Sequence, residues 1–314
     1  MKDHNFQTKA VREGHNATEE QEHSAAIFLT SSYRFESAEQ AADRFQNNEK
    51  GNVYSRFTNP TVDAFQNKLA SLEGAEKCQA TASGMSAIFA IIMSLMKPGE
   101  HMVASRCMFG TTIVLLNSII EKFNIQITFV DLANLDAWEK SVQKNTKLFL
   151  LETPSNPLGE VVNIELLAAI SKKNNIVLAV DNCVMTPALQ KPLALGADLV
   201  IHSATKYIDG QGRCLAGAVA GSESLINEIS AFTRSTGPTL SAFNAWVVLK
   251  GLETLKIRME AHCKSAKQLA IWLSGQTFIK KVHYVGLESH PPVSYTHLRA
   301  HETPEHLVCR LLLE

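Results

Sequence analysis

The sequence predicts an α/β fold in which helices sandwich a mostly parallel sheet, and three observations support this prediction. Between about residue 60 and residue 221, short apolar runs typical of strands alternate with longer stretches typical of helices. Such alternation favours parallel strands joined by crossover helices. Four of the apolar runs end in polar groups, as the strands of ligand-binding α/β sheets do. The length of 314 residues favours two domains.

Changes in composition divide the chain into segments. The first 50 or so residues are polar, with an amphipathic helix predicted from Ser37 to Gln46. Asn59 and Pro60 mark the start of the next helix, as its N-cap and its first-turn proline. The stretch from Leu240 to Trp272 predicts one or two long helices that lead into a smaller domain. We therefore predict an N-terminal arm over 1–50, a large domain over 51–250 and the start of a C-terminal domain over 251–290.

The first of the four strands, predicted over Cys78–Ala82, runs into a turn that can hold an anion. Gly84 permits a tight turn, and the helix predicted from Met85 to Met96 offers free amides and a positive dipole end. A phosphate there would gain charge-assisted hydrogen bonds. For this turn taken alone, Ser83 acting only as a helix N-cap is the favoured interpretation. The segment has neither a dinucleotide Gly-x-Gly-x-x-Gly fingerprint nor a Walker lysine.

The second strand, predicted over Lys147–Leu151, leads into the proline-containing string from Glu152 to Pro157. Its two prolines restrict the backbone and remove hydrogen-bond donors, so the string is predicted to form a rigid loop. Asn156, between the prolines, can hold its amide near the hydroxyl group of a bound ring. A turn without function explains the same spacing equally well.

An acid, Asp181, follows the third predicted strand, and a lysine, Lys206, follows the fourth. Pyridoxal phosphate (PLP) chemistry needs this combination. A lysine amine forms a Schiff base with the PLP aldehyde, and an acid keeps the pyridine nitrogen protonated. The hydroxyl groups of Ser203 and Thr205, beside the lysine, can bind the phosphate. Lys206 taken alone is better explained as a surface lysine, but four chemically useful strand ends in order favour a PLP site.

Composition argues against several functional classes. A net charge of −1, with 45% hydrophobic and 19% charged residues, gives no electrostatic reason to expect nucleic acid or an anionic membrane as a partner. The polar start lacks the apolar core of a signal peptide, and no apolar run approaches a membrane span. The cysteines show no metal-ligand spacing, so reduced thiols in a cytoplasmic protein are expected. They are Cys78, Cys107, Cys183, Cys214, Cys263 and Cys309.

Five motifs together resemble the PLP-dependent enzymes of cysteine and methionine metabolism, the cystathionine γ-synthase-like family. The resemblance extends from about Thr8 to His290. The five motifs are Tyr54–Thr61, Ala82–Ser86, Glu152–Pro157, Val180–Asn182 and His202–Tyr207. It implies the PLP-dependent aminotransferase-like fold, called fold type I, with a large PLP-binding domain and an α+β C-terminal domain.

The resemblance assigns roles to individual residues. Lys206 is implied to be the Schiff-base lysine and proton shuttle, and Asp181 the partner of the pyridine nitrogen. Asn156 is implied to contact the ring hydroxyl and Phe109 to stack on the ring. The implied phosphate contacts are Ser83, Gly84, Met85, Ser203 and Thr205, joined by Tyr54 and Arg56 from a neighbouring subunit. The active site is then shared within a homo-oligomer, a dimer or a tetramer.

The implied reaction is γ-replacement on an activated homoserine. The strings Cys107–Thr112 and Asp209–Arg213 favour the branch that replaces the succinate of O-succinylhomoserine with sulfide, giving homocysteine for methionine biosynthesis. Phe109 stands where related synthases and lyases usually carry tyrosine, so a reaction that needs that phenol is not implied. The alternatives are a cystathionine γ-synthase, an O-acetylhomoserine-using enzyme, a methionine or cystathionine γ-lyase, and a PLP-binding fragment without turnover.

The last segment, residues 291–314, does not resemble the family and is predicted to be a non-native tail of vector or adapter origin. The C-terminal domain is then incomplete, and it lacks the arginine that the resemblance implies for the substrate carboxylate. The histidines of this segment predict no metal site, because such a site needs fixed geometry and supporting hydrogen bonds. They are His297, His301 and His306.

Overall fold

A computed structural model of the protein describes residues 4–46, 48–290 and 312–313. Its principal strands are β1 (Lys77–Thr81), β2 (His101–Ser105), β3 (Gln126–Val130), β4 (Thr146–Glu152), β5 (Val177–Asp181), β6 (Leu199–His202) and β7 (Gly217–Gly221). They form a seven-stranded sheet in the order β1-β7-β6-β5-β4-β2-β3 within these residues. All neighbours are parallel except the two pairs that involve β7. The predicted mostly parallel sheet is confirmed.

The helices agree closely with the boundaries read from the sequence. They are α1 (Phe6–Arg12), α2 (Ala38–Phe45), α3 (Pro60–Glu73), α4 (Gly84–Leu95), α5 (Gly110–Ser118), α6 (Leu135–Lys140), α7 (Ile164–Lys173), α8 (Thr186–Leu189), α9 (Glu223–Thr236), α10 (Ala242–Glu253) and α11 (Leu255–Ser274). A 3₁₀ helix spans Ile120–Phe123. A small antiparallel sheet pairs β8 (Val282–His283) with β9 (Leu312–Leu313). No described helix combines the length and the apolar character needed to cross a membrane.

Side-chain caps set several of the helix starts. Ser37 accepts a hydrogen bond from the Gln40 amide and begins α2. The Asn59 side chain accepts from the Thr61 amide at 3.0 Å, so it caps α3 as predicted. These caps satisfy amides that have no partner within the helix, which is why the starts can be read from the sequence.

Alternate residues of the central strands pack on opposite faces of the sheet. Leu148 and Leu150 of β4 belong to a core cluster with α4, α5 and α9. Phe149 and Leu151 of the same strand belong to a cluster with α6 and α7. A further cluster packs α3, α10 and α11 against β1 and β7. Helices therefore cover both faces, as predicted, and the carboxyl ends of the strands stay open at one edge.

Candidate active site

Four strand ends meet at one edge of the sheet. Because β7 is antiparallel to both β1 and β6, the strands β1, β4, β5 and β6 all run in the same direction. The carboxyl ends of these four strands carry, in order, the turn at Ser83, the loop from Glu152, the acid Asp181 and the turn at Ser203–Lys206. The register places Glu152 opposite Asp181. The predicted gathering of these groups at one edge is confirmed, and this edge is where α/β proteins bind ligands.

The turn before α4 lies against the turn after β6. A Cβ atom at Gly84 would lie 2.7 Å from the Ser203 Cβ, so a side chain at position 84 would force the two turns apart. A Cβ at Gly217, the first residue of β7, would collide with the backbone carbonyl of Ser83. Glycine at these two positions therefore allows three backbone segments to approach closely.

The start of α4 offers an anion two amides. The Ser83 hydroxyl caps the Ser86 amide at 3.1 Å, and the Ala87 amide donates to the Ser83 carbonyl at 3.1 Å. The preceding amides, those of Gly84 and Met85, cannot bond within the helix. Gly84 lies directly against Ser203, and two free amides close to a hydroxyl group suit a phosphate.

Thr205 and Lys206 have different surroundings. The Thr205 hydroxyl accepts from the Ala216 amide at 3.0 Å and donates to the Ala216 carbonyl at 3.2 Å, which ties the turn to the segment before β7. A phosphate oxygen accepts hydrogen bonds, so this hydroxyl can bind a phosphate only by turning its proton away from the Ala216 carbonyl. The Lys206 side chain is exposed, whereas its backbone is fixed by hydrogen bonds to Ser203 and Gly210. The amine is therefore accessible on a rigid turn.

Asp181, the last residue of β5, has a side chain that is partly buried. Its Oδ1 accepts from the Cys183 amide at 2.9 Å. Burial raises the pKa of Asp181, while hydrogen bonds from Cys183 and the electrostatic interaction with His202 oppose that rise. A cation placed against such a carboxyl favours its ionised form. A protonated ring nitrogen is a partner of this kind.

The sequence named Glu152 only as part of a motif, but the structure places it at the centre of the edge. It is 5% exposed, and its Oε2 accepts from the Phe109 amide at 2.9 Å. The Asn156 backbone also bonds to this carboxyl. Burial, and then the nearby Asp181, raise the pKa of Glu152 to about 8. Like Asp181, Glu152 is a carboxyl group at the end of an apolar strand, and that placement is the signal by which the sequence analysis could have found it.

Polar residues behind the edge form a buried network that the sequence analysis missed. Glu73 Oε1, at the end of α3, lies 2.5 Å from His202 Nε2 and accepts from the Asn182 side chain at 3.2 Å. Gln190 Nε2 donates to Asn182 Oδ1 at 3.0 Å and to the Thr153 carbonyl at 2.9 Å. The network thus ties the ends of β4, β5 and β6 to α3.

The remaining predicted residues are Phe109, Asn156, Tyr54 and Arg56, and each has different surroundings. Phe109, 49% exposed, precedes α5, and Asn156 is half-buried in the loop after β4. Tyr54 is 40% exposed and packs against Phe57, with ring centroids 5.7 Å apart. The Arg56 guanidinium lies over the Phe57 ring and donates to the Arg234 carbonyl of α9. Within their own chain, Tyr54 and Arg56 therefore both pack against Phe57, and Arg56 also contacts Arg234.

The family described as Cys/Met metabolism PLP-dependent enzyme matches residues 7–308 of the sequence. The chain belongs to this family. An O-succinylhomoserine sulfhydrylase from Pseudomonas aeruginosa is 56% identical over 286 residues, which are 91% of this chain and 71% of that protein. An L-methionine γ-lyase from Fusobacterium nucleatum subsp. polymorphum is 41% identical over 268 residues, which are 84% of this chain and 68% of that protein.

A solved structure supports the same family. The crystal structure of metY from Campylobacter jejuni carries N'-pyridoxyl-lysine-5'-monophosphate and is 32% identical to this chain. The two structures match with a TM-score of 0.90 over 95% of this chain and 83% of that one. The predicted fold class is therefore confirmed.

PLP is the cofactor of this Cys/Met metabolism enzyme, and the site fits it. The amides of Gly84 and Met85 beside Ser203 suit a phosphate. The carboxyl of Asp181, whose charge is disfavoured by burial, suits a cationic ring nitrogen. The exposed amine of Lys206 suits an aldehyde.

The predicted tail, 291–314, lies outside the described residues apart from the backbone of Leu312 and Leu313 in β9. His297, His301 and His306 also lie outside the described residues. The family match continues to residue 308, beyond the predicted end of the resemblance at His290. The domain boundaries and the origin of the tail stay predictions.

Proposed function

We propose that this protein is an O-succinylhomoserine sulfhydrylase, which replaces the succinate of O-succinylhomoserine with sulfide and yields homocysteine for methionine biosynthesis. One observation carries the proposal. The Pseudomonas aeruginosa sulfhydrylase is 56% identical over 91% of the chain, against 41% over 84% for a methionine γ-lyase.

Lys206 is the proton-moving group in this proposal. When bound, PLP supplies the electron sink for the electrons released at the substrate α-carbon. The exposed Lys206 amine takes the proton from that carbon and returns a proton later in the reaction. Phe109 has no ionisable group, so it can contribute only ring contact. Proton transfer therefore depends on the lysine.

Asp181 and the turns around it hold the cofactor in place. Asp181 keeps the proton on the ring nitrogen, because an ionised carboxylate favours a cationic partner. The Gly84 and Met85 amides and the Ser203 hydroxyl would donate to the phosphate, and the Thr205 hydroxyl would join them by turning its proton from the Ala216 carbonyl. The Ser83 cap fixes the start of α4 for these groups. Asn156 contacts the ring hydroxyl from the loop after β4.

The protein is proposed to act as a cytoplasmic homo-oligomer, a dimer or a tetramer. The cysteines in the described part of the chain are free thiols, which is usual in a reducing compartment. The exposed ring of Tyr54 and the neighbouring Arg56 are proposed to reach the phosphate of an adjacent subunit.

The function is tested by supplying O-succinylhomoserine and sulfide and measuring homocysteine and succinate. We expect both products from the parent chain and a loss of about 10²- to 10⁴-fold in turnover for Lys206→Ala, since a positioned acid–base group contributes that much. Lys264→Ala, which alters an exposed lysine of α11, is the matched control. Full activity in Lys206→Ala would contradict the assignment of the lysine.

A methionine γ-lyase is the second candidate, because relatives of that activity are 41% identical to the chain. The two functions differ in their products. Methionine alone would release methanethiol in a lyase, whereas the sulfhydrylase needs the succinylated substrate and sulfide. Cysteine in place of sulfide tests for a cystathionine γ-synthase, and PLP binding without any of these products would indicate a PLP-binding fragment without turnover.

A further inference from the structure

Glu152 is the point at which two loops around the proposed cofactor ring meet. The side chain is 5% exposed and ends β4. Its Oε2 accepts a hydrogen bond from the Phe109 amide at 2.9 Å. Phe109 lies 43 residues before Glu152 in the chain, directly before α5. The same carboxyl is bonded by the backbone of Asn156, in the loop that follows β4. A single side chain therefore joins the two loops.

We propose that Glu152 is a positioning residue, which fixes Phe109 and Asn156 on two sides of the cofactor ring by accepting hydrogen bonds from both backbones. The inference rests on the roles proposed above for Phe109 and Asn156. It adds a residue that touches neither the substrate nor the reacting atoms but determines where two ring-contacting groups lie.

The electrostatic surroundings indicate that Glu152 acts as an acceptor rather than as a charge. Asp181 lies opposite it in the strand register, and two neighbouring carboxylates repel. Burial together with Asp181 raises the pKa of Glu152 to about 8, so the neutral acid is favoured at pH 7. Cys183, in the turn after β5, also interacts with Glu152 electrostatically. A neutral acid keeps the acceptor capacity of its carbonyl oxygen.

This division of roles leaves Asp181 free to be the charged group of the pair. Asp181 has stabilising partners that Glu152 lacks, namely the Cys183 hydrogen bonds and the electrostatic interaction with His202. A cationic ring nitrogen adds to them. One proton on Glu152 thus removes the repulsion that would otherwise oppose ionisation of Asp181.

The test compares three variants of the holoenzyme. Glu152→Gln keeps an acceptor of the same length without a charge, Glu152→Asp withdraws the acceptor by one methylene, and Glu152→Ala removes it. Glu228→Ala, an exposed position in α9, is the matched control. The measurements are the dissociation constant of PLP, the circular dichroism of bound PLP in its visible band, and hydrogen–deuterium exchange of the Phe109 and Asn156 amides.

We expect Glu152→Ala to weaken PLP binding about tenfold, the size of one buried hydrogen bond. The same variant should reduce the visible dichroism, because the groups around the ring lose their fixed orientation, and should speed exchange at both amides. Glu152→Asp should lie between, whereas Glu152→Gln should match the parent. If Glu152→Ala does not fold, the comparison of Glu152→Asp with Glu152→Gln decides.

Two results would overturn the proposal. The first is parent-like PLP affinity and dichroism in Glu152→Ala or Glu152→Asp, which would make the two hydrogen bonds unnecessary. The second is a loss in Glu152→Gln as large as in Glu152→Ala, which would mean that the charge matters and not the acceptor. None of these measurements uses a substrate, so an absence of sulfhydrylase turnover would leave this test intact and would count only against the proposed function.

Discussion

Glu73 and His202 form a buried acid–base pair directly behind the proposed cofactor site. Glu73 Oε1 lies 2.5 Å from His202 Nε2, and both side chains are almost fully buried. Among the described residues, neither Glu73 Oε2 nor His202 Nδ1 has a hydrogen-bond partner. The pair is therefore sustained by a single short contact and by Asn182. The electrostatic interaction of His202 with Asp181 also opposes the rise in the pKa of Asp181.

Removing one partner of this pair should be costly. His202→Ala leaves the Glu73 carboxyl buried beside Asn182 alone, and breaking a buried pair in this way costs about 3–5 kcal/mol. Urea unfolding of the apoprotein measures the loss. The double variant Glu73→Gln with His202→Ala should lose less than the sum of the two single variants, because the unpaired charge is absent. Additive losses would show that the two residues do not interact.

The sequence placed individual residues correctly where they stand at strand ends and missed those that act through distant partners. Asp181, Ser203 and Lys206 stand at the ends of apolar strands, so their edge of the sheet was readable, and their chemistry stays a prediction. Glu73 lies 129 residues from His202, and no local pattern connects them. Glu152 belongs to a recognised string, but its contact with Phe109 depends on how β4 and α5 pack.

The turn that begins α4 shows how a helix start is built for a ligand. Ser83 caps the helix, and Gly84 is its first residue. The turn after β6 packs directly against Gly84. The plain N-cap and the phosphate site, which the sequence left as alternatives for Ser83, are compatible. The cap uses the Ser86 amide, and the earlier amides stay available.

Gly84→Ala should weaken PLP binding without preventing α4 from forming. The new Cβ would lie 2.7 Å from the Ser203 Cβ, and overpacking of this kind costs about 1–3 kcal/mol, or roughly 5- to 150-fold in affinity. Titration of the apoprotein with PLP measures the change.

Gly110→Ala is the matched control for this variant. Gly110 also opens a helix, α5, but a Cβ there meets no atom within 4 Å. We expect this control to bind PLP as the parent does. Equal affinity in both variants would show that the contact between the two turns does not shape the phosphate site.

The element boundaries follow from local rules, whereas the direction of one strand does not. The predicted helix from Ile164 to Lys173 is observed with these bounds, and α4 begins one residue before the prediction. The caps and the apolar periodicity account for this agreement. The antiparallel direction of β7 depends on its two neighbours, β1 and β6, and therefore on the assembled sheet.

The assembled molecule provides a seven-stranded sheet with one ligand-binding edge, and the proposed subunit sharing concerns that edge. Tyr54 and Arg56 make their described contacts with Phe57 and Arg234 of their own chain. Their proposed role at a neighbouring phosphate requires a second copy. A homodimer with two-fold symmetry would place them reciprocally in two sites.

Mixing two inactive variants tests this sharing. Lys206→Ala removes the amine of one subunit and Arg56→Ala removes the guanidinium supplied by the other. If sites are shared, random reassociation of the two variants in a dimer restores about a quarter of the parent's sites, because half of the dimers are mixed and each has one intact site. Homocysteine formation measures the recovery. No recovery, together with strong activity of Arg56→Ala alone, would place Arg56 outside the shared site.

The sequence alone determined the fold class, the order of the strand ends and the polar residues that stand there, because hydrophobic periodicity, caps and short motifs act over a few residues. It could not determine the Glu73–His202 pair, the Glu152 link between two loops or the reversed strand β7. These features join segments that are far apart in the chain, and which segments meet depends on how the sheet is ordered and packed. Burial then sets the chemistry of the groups brought together, as the raised pKa of Glu152 beside Asp181 illustrates.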